Sequence, residues 1–178
     1  MRILISAYAC EPGKGSEPGV GWNIAKNLTK YVELIVITRK DVEEKIASRS
    51  SDNEFGKRLK FEYVDLPEFL LKFINVNRLI HLHYVLWSVA SMIRAFNLSR
   101  KYTITLVHHL TFVNNWLPPF IGVVNKPFLW GPIGTNSYIP LKALKSFRAK
   151  IHNLLRNAIL SFFRVLNPFL YLIIAKAQ

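Results

Sequence analysis

Residues 2–38, RILISAYACEPGKGSEPGVGWNIAKNLTKYVELIVIT, decide the fold. They open with RILISA (residues 2–7), a short β-branched run that passes directly into a loop full of Gly and Pro. Over residues 19–31, Val20, Ile24, Ala25, Leu28 and Tyr31 recur at helical spacing. Residues 33–38, ELIVIT, return to the near-continuous aliphatic run of a buried parallel strand. Strand, Gly-rich loop, helix and strand make a βαβ unit.

Outward from this unit, residues 41–48 read as a short helix and residues 50–56 as a polar loop. Residues 60–66 (KFEYVDL) alternate Phe, Tyr or Val with polar residues, as a third strand does. From Pro67 onward the texture changes to long apolar helical segments. Leu79, Leu82, Leu86, Val89, Ile93 and Phe96 keep a three-or-four spacing, and Tyr84, Trp87 and Met92 occupy the other faces. A helix apolar nearly all round must be buried, or must meet a partner or a membrane. Residues 102–108 (YTITLVH) read as a fourth strand and residues 127–130 (PFLW) as a fifth, with a short helix around residues 117–124. Alternating strands and helices predict an α/β fold, a Rossmann-like open, mostly parallel sheet with helices on both faces.

Residues 141–166 form a 26-residue helical candidate, about 39 Å long. On a helical wheel Leu144, Phe147, Ile151, Leu154, Leu155, Ile159, Phe162 and Leu166 share one side. Lys142, Lys145, Lys150, Arg156 and Arg164 share the other, with Arg148 on the apolar side. Such a basic amphipathic helix combines apolar burial with attraction to anionic lipid, on the order of 1 kcal/mol per base near the surface. These five bases are therefore expected at a membrane surface; the alternative is an apolar face packed on the sheet and a solvated basic face. Pro168 starts one further helix over residues 169–177.

The chain has 178 residues, 51% hydrophobic and 20% charged, which excludes a disordered chain and suits one domain with a real core. Cys10 is the only cysteine, so no internal disulfide or Cys-based zinc site forms, and it is expected to be a small buried hydrophobe. No basic-then-apolar leader precedes the first strand, making the cytosol the expected compartment. The longest apolar stretches free of Lys and Arg, residues 79–93 and 165–175, fall short of the roughly 18 residues that span a bilayer. Charge is distributed unevenly. All 11 acids lie at or before Glu68, where 11 bases balance them, so the whole net charge of +13 sits beyond that residue. A one-signed field attracts nucleic acid, anionic lipid or phosphorylated small molecules.

Three loops at expected strand ends could carry chemistry. The first, EPGKGSEPGVG (residues 11–21), lies between the first strand and helix, where open α/β sheets bind ligands. Gly19 and Gly21 at a helix start would let a phosphate approach backbone N–H groups and the positive end of the helix dipole; alternatively they only turn the chain. A Walker A loop fails because Gly15, not Ser or Thr, follows Lys14. A dinucleotide fingerprint fails at Pro18, and the second strand ends in Thr38, Arg39 and Lys40 rather than an acid. Arg39 suits a 2′-phosphate, which keeps an NADP-binding module as an alternative. His108 and His109 end the expected fourth strand, and since neighbours on a strand point to opposite sides, at most one faces a cleft. The alternative there is a satisfied core histidine. WGPIGT (residues 130–135) is the third loop, with Gly131, Pro132 and Gly134 imposing a tight turn. His81 and His83 lie two apart on a helix and do not share a face, which disfavours a metal site.

Taken together, ILISAYACEPGKGSEPGVGW, VHHLTF and FLWGPIG, in that order, resemble the N-terminal half of a family 4 glycosyltransferase of the GT-B fold. The resemblance covers essentially the whole chain. It implies an acceptor-side domain of a retaining, metal-independent enzyme that passes a sugar from a nucleotide-sugar donor to a glycan or lipid-linked acceptor at the cytoplasmic membrane face. It implies that Gly19 and Gly21 approach the donor phosphates or sugar, and that the active-site histidine falls on His109, with His108 the fallback. Glu17, Trp130, Gly131, Pro132 and Gly134 would line the acceptor side. Thr135 and Asn136 stand where relatives often carry further glycines. By the same resemblance the chain is expected to lack the donor domain with its pair of glutamates, which no acid after Glu68 replaces, and its last helix would ordinarily lead into a further strand of this domain. No cofactor or metal is expected.

The competing class is a binding module whose basic second half grips nucleic acid. Nucleic-acid binders interleave exposed aromatics with bases or carry a reading motif, whereas the aromatics here follow the apolar stripes. No nucleic-acid partner is therefore expected. The purified 178-residue chain is expected to be an incomplete unit that does not transfer sugar by itself; transfer detected with a labelled nucleotide sugar contradicts this.

Overall fold

The computed structural model describes residues 1–50, 58–74, 76, 78–134 and 139–177. The expected loop at residues 50–56 lies, beyond Ser50, outside the described residues, as do Thr135 and Asn136. In chain order the elements are β1 (Arg2–Ala7), α1 (Ser16–Leu28), β2 (Glu33–Arg39), α2 (Glu43–Ser50), β3 (Leu59–Val64), α3 (Glu68–Phe73) and α4 (Ile80–Lys101). Then follow β4 (Leu106–Thr111), β5 (Phe128–Trp130), α5 (Phe147–Leu166) and α6 (Pro168–Ile174), with short 3-10 turns between.

The five strands form one parallel sheet in the order β3-β2-β1-β4-β5. Leu4, Ile5, Val36 and Ile37 have no exposed surface, as strands covered on both faces require. Alternation assigns the two faces. Ile3, Ile5, Leu34 and Val36 pack with Trp22 and Ala25 of α1 and Ile46 of α2. Leu4, Ile35, Ile37 and Val107 pack with Tyr84 and Trp87 of α4 and Leu170 and Ile173 of α6. This is the α/β, Rossmann-like open sheet with helices on both faces that the alternation of elements predicts.

Two helices differ from their expected faces. On α4 the buried residues are His83, Tyr84, Trp87, Ser88, Ser91, Ala95 and Leu98, whereas Leu79, which precedes the helix, and Leu82, Ile93 and Phe96 are exposed. Small Ser88, Ser91 and Ala95 allow close approach, and the polar atoms find partners. Trp87 Nε1 donates to the Val64 carbonyl at 2.9 Å, and Ser88 Oγ accepts the Phe120 N–H at 3.0 Å. Glu62 of β3 receives Arg94 of α4 and Lys60, fastening helix to sheet.

The basic helix expected over residues 141–166 is shorter. Residues 141–143 form a 3-10 turn, and α5 begins at Phe147, so Lys142 and Lys145 precede the helix. Only Asn153 of α5 is buried, and Lys150, Arg156 and Arg164 are half-buried on its inward side. Arg164 donates to Asn115 Oδ1 at 2.7 Å. Phe147, Ile151, Leu154, Leu155, Ile159 and Phe162 point outward, Phe147 with 77% of its surface exposed. The polar side of α5 thus meets the body of the domain and the apolar side does not. Asn167 caps α6 by accepting the Leu170 N–H, with Pro168 at its first turn, as Pro prefers. Ala177 forms a single parallel bridge to Phe128 on β5.

Gly21 is required where α1 crosses the first loop, since a Cβ there would lie 2.2 Å from the Ala9 carbonyl oxygen. Gly21→Ala is expected to destabilise the fold by at least about 2 kcal/mol, although Ala is the better helix former by roughly 1 kcal/mol. Urea unfolding measures the sign; a more stable variant would show that the loop yields.

Candidate functional site

The strand order reverses between β1 and β4, because the chain returns from the β3 edge to pair β4 with the other side of β1. Ligands of open α/β sheets bind outside the carboxyl ends of the strands at such a switch point. Three loops meet there. The Ala9 N–H donates to Thr111 Oγ1 at 2.9 Å, and Glu17 Oε1 accepts the Val113 N–H at 2.6 Å. Further along, the Gly131 N–H donates to the His109 carbonyl at 3.1 Å and the Gly134 N–H to the Val113 carbonyl at 3.0 Å. The structure therefore brings Glu17, Trp130, Gly131 and Gly134 to one edge, with His108 and His109 beneath it, bonded to Gly131 from within the sheet. Pro132 is exposed there after a cis Gly131–Pro132 peptide bond, and Trp130 is buried.

The glycines hold different places from those expected. The helix starts at Ser16 rather than near residue 19, so the N–H groups without helical partners are those of Gly15, Ser16 and Glu17. Gly19 and Gly21 lie within α1. A Cβ on Gly19 would lie 2.2 Å from the Lys14 carbonyl oxygen, so both glycines let the loop lie against the helix. Gly19 also lines a groove of about 510 Å³ with Lys14, Gly15, Ser16, Val20 and Asn23, whereas Gly21 does not. The helix has no side-chain cap at its start.

The histidines also differ from the expected strand end. Residues 102–105 precede the strand, which runs three residues further, to Thr111, so both histidines are inside it, His108 beside Ile5 and His109 beside Ser6. They point to opposite faces. His109 is 2% exposed, with Nε2 3.2 Å from Tyr84 Oη and Nδ1 3.3 Å from Ser6 Oγ. Burial, with the adjacent His108, pushes its pKa down to about 3. His108 Nε2–H donates to the Gly131 carbonyl at 2.7 Å, and burial lowers its pKa too. One histidine thus clamps α4 to the sheet and the other anchors the Gly131 turn.

Sequence reasoning missed the aromatic floor beneath this edge. Phe112 stacks on Tyr84 at 3.9 Å between ring centroids and lies edge-on to Tyr8 at 5.1 Å. Its φ is +72°, a left-handed conformation that costs a bulky residue on the order of 1–3 kcal/mol. Ser16, at φ +56°, is the other non-glycine residue of this kind among the described residues, and it lies at the same edge. Strain of this sort clusters at functional sites. Also missed was a cavity at the carboxyl ends of β2 and β3, lined by Arg39, Asp41, Asp65, Leu71, Val76 and His83. Asp65 follows a strand end, and that position was the signal that would have found it. Cys10 is buried and its pKa is pushed up to about 12, so its thiol stays protonated and inert. Among the described residues no group of three or more His, Cys, Asp or Glu could hold a metal ion.

Comparison of the chain with protein-family models, with curated proteins and with solved structures found no match.

The His109 imidazole binds a proton near pH 6.5 when unfolded but resists it to about pH 3 when folded. The unfolded state holds more protons between these values, so this stabilisation is complete above about pH 6.5 and is lost as pH falls toward 3. From pH 7 to pH 5 the protein is expected to lose up to about 2 kcal/mol more than His109→Gln does, measured by urea unfolding at both pH values. Equal losses would mean that His109 titrates normally.

Proposed function

We propose that the chain is the acceptor-side domain of a glycosyltransferase, which passes a hexose from a nucleotide-sugar donor to a glycan or lipid-linked acceptor at the cytoplasmic membrane face. The observation that carries the reading is the convergence of the three resembling stretches, residues 3–22, 107–112 and 128–134, on one edge at the sheet's switch point, tied by hydrogen bonds from Ala9 to Thr111, from Gly131 to His109, and from Glu17 and Gly134 to the adjoining Val113. Sugar transfer requires the diphosphate of a donor held by a second domain to leave as an anion. The uncapped start of α1, with Lys14 beside it, offers N–H groups and positive charge for that anion. His109 serves as a positioning residue in this reading, because both of its nitrogens are engaged within the core. Glu17 and the Gly131–Pro132–Ile133–Gly134 turn form the acceptor-side rim.

The membrane half of the proposal is supported by the outward apolar face of α5, continued by Phe169, Leu172 and Ile174 of α6. Such a continuous exposed apolar surface marks an interaction site. No single helix among the described residues is long and apolar enough to cross a membrane, and α5 and α6 are bent by 68° at Asn167. An interfacial helix needs only its apolar side in the lipid. Lys142, Lys145 and Arg148, exposed at its start, face anionic headgroups; Lys150, Arg156 and Arg164, half-buried, contribute less than the sequence alone implies.

Loss of the gene is expected to leave a lipid-linked or surface glycan one hexose short by mass spectrometry, and the wild-type gene to restore it. An unchanged glycan profile overturns the transferase reading. Vesicles with anionic lipid are expected to bind the protein in a salt-sensitive way. Lys142→Gln with Lys145→Gln weakens that binding about tenfold or more, and Leu155→Glu with Phe162→Glu abolishes it. Equal sedimentation with neutral and anionic vesicles, or tighter salt-sensitive binding to RNA or DNA, counts against the membrane reading.

A further inference from the structure

The cavity of about 430 Å³ at the ends of β2 and β3 joins residues from four separate elements of the chain. Its volume is within the range of small-ligand sites and far exceeds that of a single water. Polar groups converge on it in donor and acceptor couples. Arg39 Nη2 lies 2.9 Å from Asp41 Oδ2, and its guanidinium sits 4.8 Å over the Tyr8 ring. Arg39 Nε is buried and meets no acceptor. His83, 2% exposed, places Nδ1 at 2.8 Å from Tyr8 Oη and Nε2 at 4.0 Å from Asp65 Oδ1.

The His83 and Asp65 couple limits the ligand's chemistry. Burial, reinforced by Arg39, lowers the His83 pKa, so the ring is neutral at pH 7 and carries one N–H. A carboxylate only accepts, so the favoured tautomer carries that hydrogen on Nε2, toward Asp65, and Nδ1 accepts from Tyr8. The 4.0 Å gap is too wide for a direct hydrogen bond. It matches a group that sits about 2.8 Å from both atoms, accepting from Nε2–H and donating to Asp65. A hydroxyl does both; a phosphate oxygen only accepts and would face two carboxylates against one guanidinium. Arg39 and Asp41, already joined at 2.9 Å, set a second donor and acceptor side by side for a neighbouring hydroxyl, and Leu71 and Val76 supply an apolar wall.

We propose that this cavity binds an uncharged polyhydroxylated ring, a sugar or cyclitol, through a hydroxyl held between His83 Nε2 and Asp65 and a neighbouring hydroxyl held by Arg39 and Asp41. The inference stands on the cavity alone; under the transferase reading the ring is the acceptor's. The test uses the purified chain at pH 7.5 with methyl β-glucopyranoside, myo-inositol and inorganic phosphate as probes, followed by ligand-observed NMR titration. At least one ring is expected to saturate the protein in the millimolar range, and phosphate is not. Asp65→Asn, which leaves the amide oxygen able to accept the Leu66 N–H as Asp65 Oδ1 does at 2.8 Å, is expected to weaken binding at least tenfold without changing the thermal melt. Leu71→Trp, which fills the cavity from its wall, is expected to abolish it. Binding of phosphate alone, no binding of either ring, or ring binding unchanged in both variants overturns the proposal. The readout is binding and not transfer, so an intact glycan profile in gene-deleted cells would sink the transferase reading and leave this one standing.

Discussion

An imidazole that must stay uncharged ties the sheet to its covering helix. His109 lies on β4, the strand beside the central β1, almost wholly buried, and its two nitrogens reach Ser6 on β1 and Tyr84 on α4. A protonated ring in that place would be a buried cation without a carboxylate, which costs several kcal/mol. As long as the ring is neutral, α4 is seated by Tyr84. Phe112 stacks on the same tyrosine and, with its left-handed backbone conformation, ends β4. Val113, the next residue, bonds Glu17 and Gly134, closing the edge. The geometry of the switch point therefore depends on a group placed well below the surface it organises.

The second organising constraint is the arrangement of apolar surface. Neither long helix buries its aliphatic stripe: α4 seats Tyr84, Trp87 and Leu98 among small or polar residues, α5 buries only Asn153, and Leu, Ile and Phe side chains of both stay outside. Trp116 connects the start of α4 to the end of α5, 5.1 Å from His81 and 5.7 Å from Phe163 between ring centroids. Water-exposed apolar area of that extent is unfavourable at about 25 cal/mol per Å², so it calls for a cover of lipid or protein. The positive charge beyond Glu68 lies in the same part of the chain.

Much of the fold was legible. RILISA read as a strand and ELIVIT as a buried parallel strand, and Pro168 marked a helix start. Boundaries were less legible where tertiary partners compete with local pattern. The fourth strand was expected at residues 102–108, but Tyr102 ends α4 and Thr105 bonds the Arg2 carbonyl before regular pairing begins at Leu106. That shift moved both histidines from a rim into the sheet. On α4 the Leu-rich stripe had the better periodicity, yet the face with Tyr84, Trp87 and three small residues won by closer approach and by hydrogen bonds.

The candidate site divides in the same way. By itself the sequence determined the βαβ order, the Gly-rich loop after the first strand, the two adjacent histidines and the Trp-Gly-Pro turn, because these depend on neighbours in the chain. Only the tertiary structure decided that Gly19 and Gly21 serve helix packing, that His109 is a core clamp, that α5 turns its apolar side outward, and that Arg39, Asp41, Asp65 and His83 share a cavity. Periodicity reports which residues share a face of an element. Which face is covered, and which strand ends come together, depends on the packing of residues tens of positions apart, to which no local pattern has access.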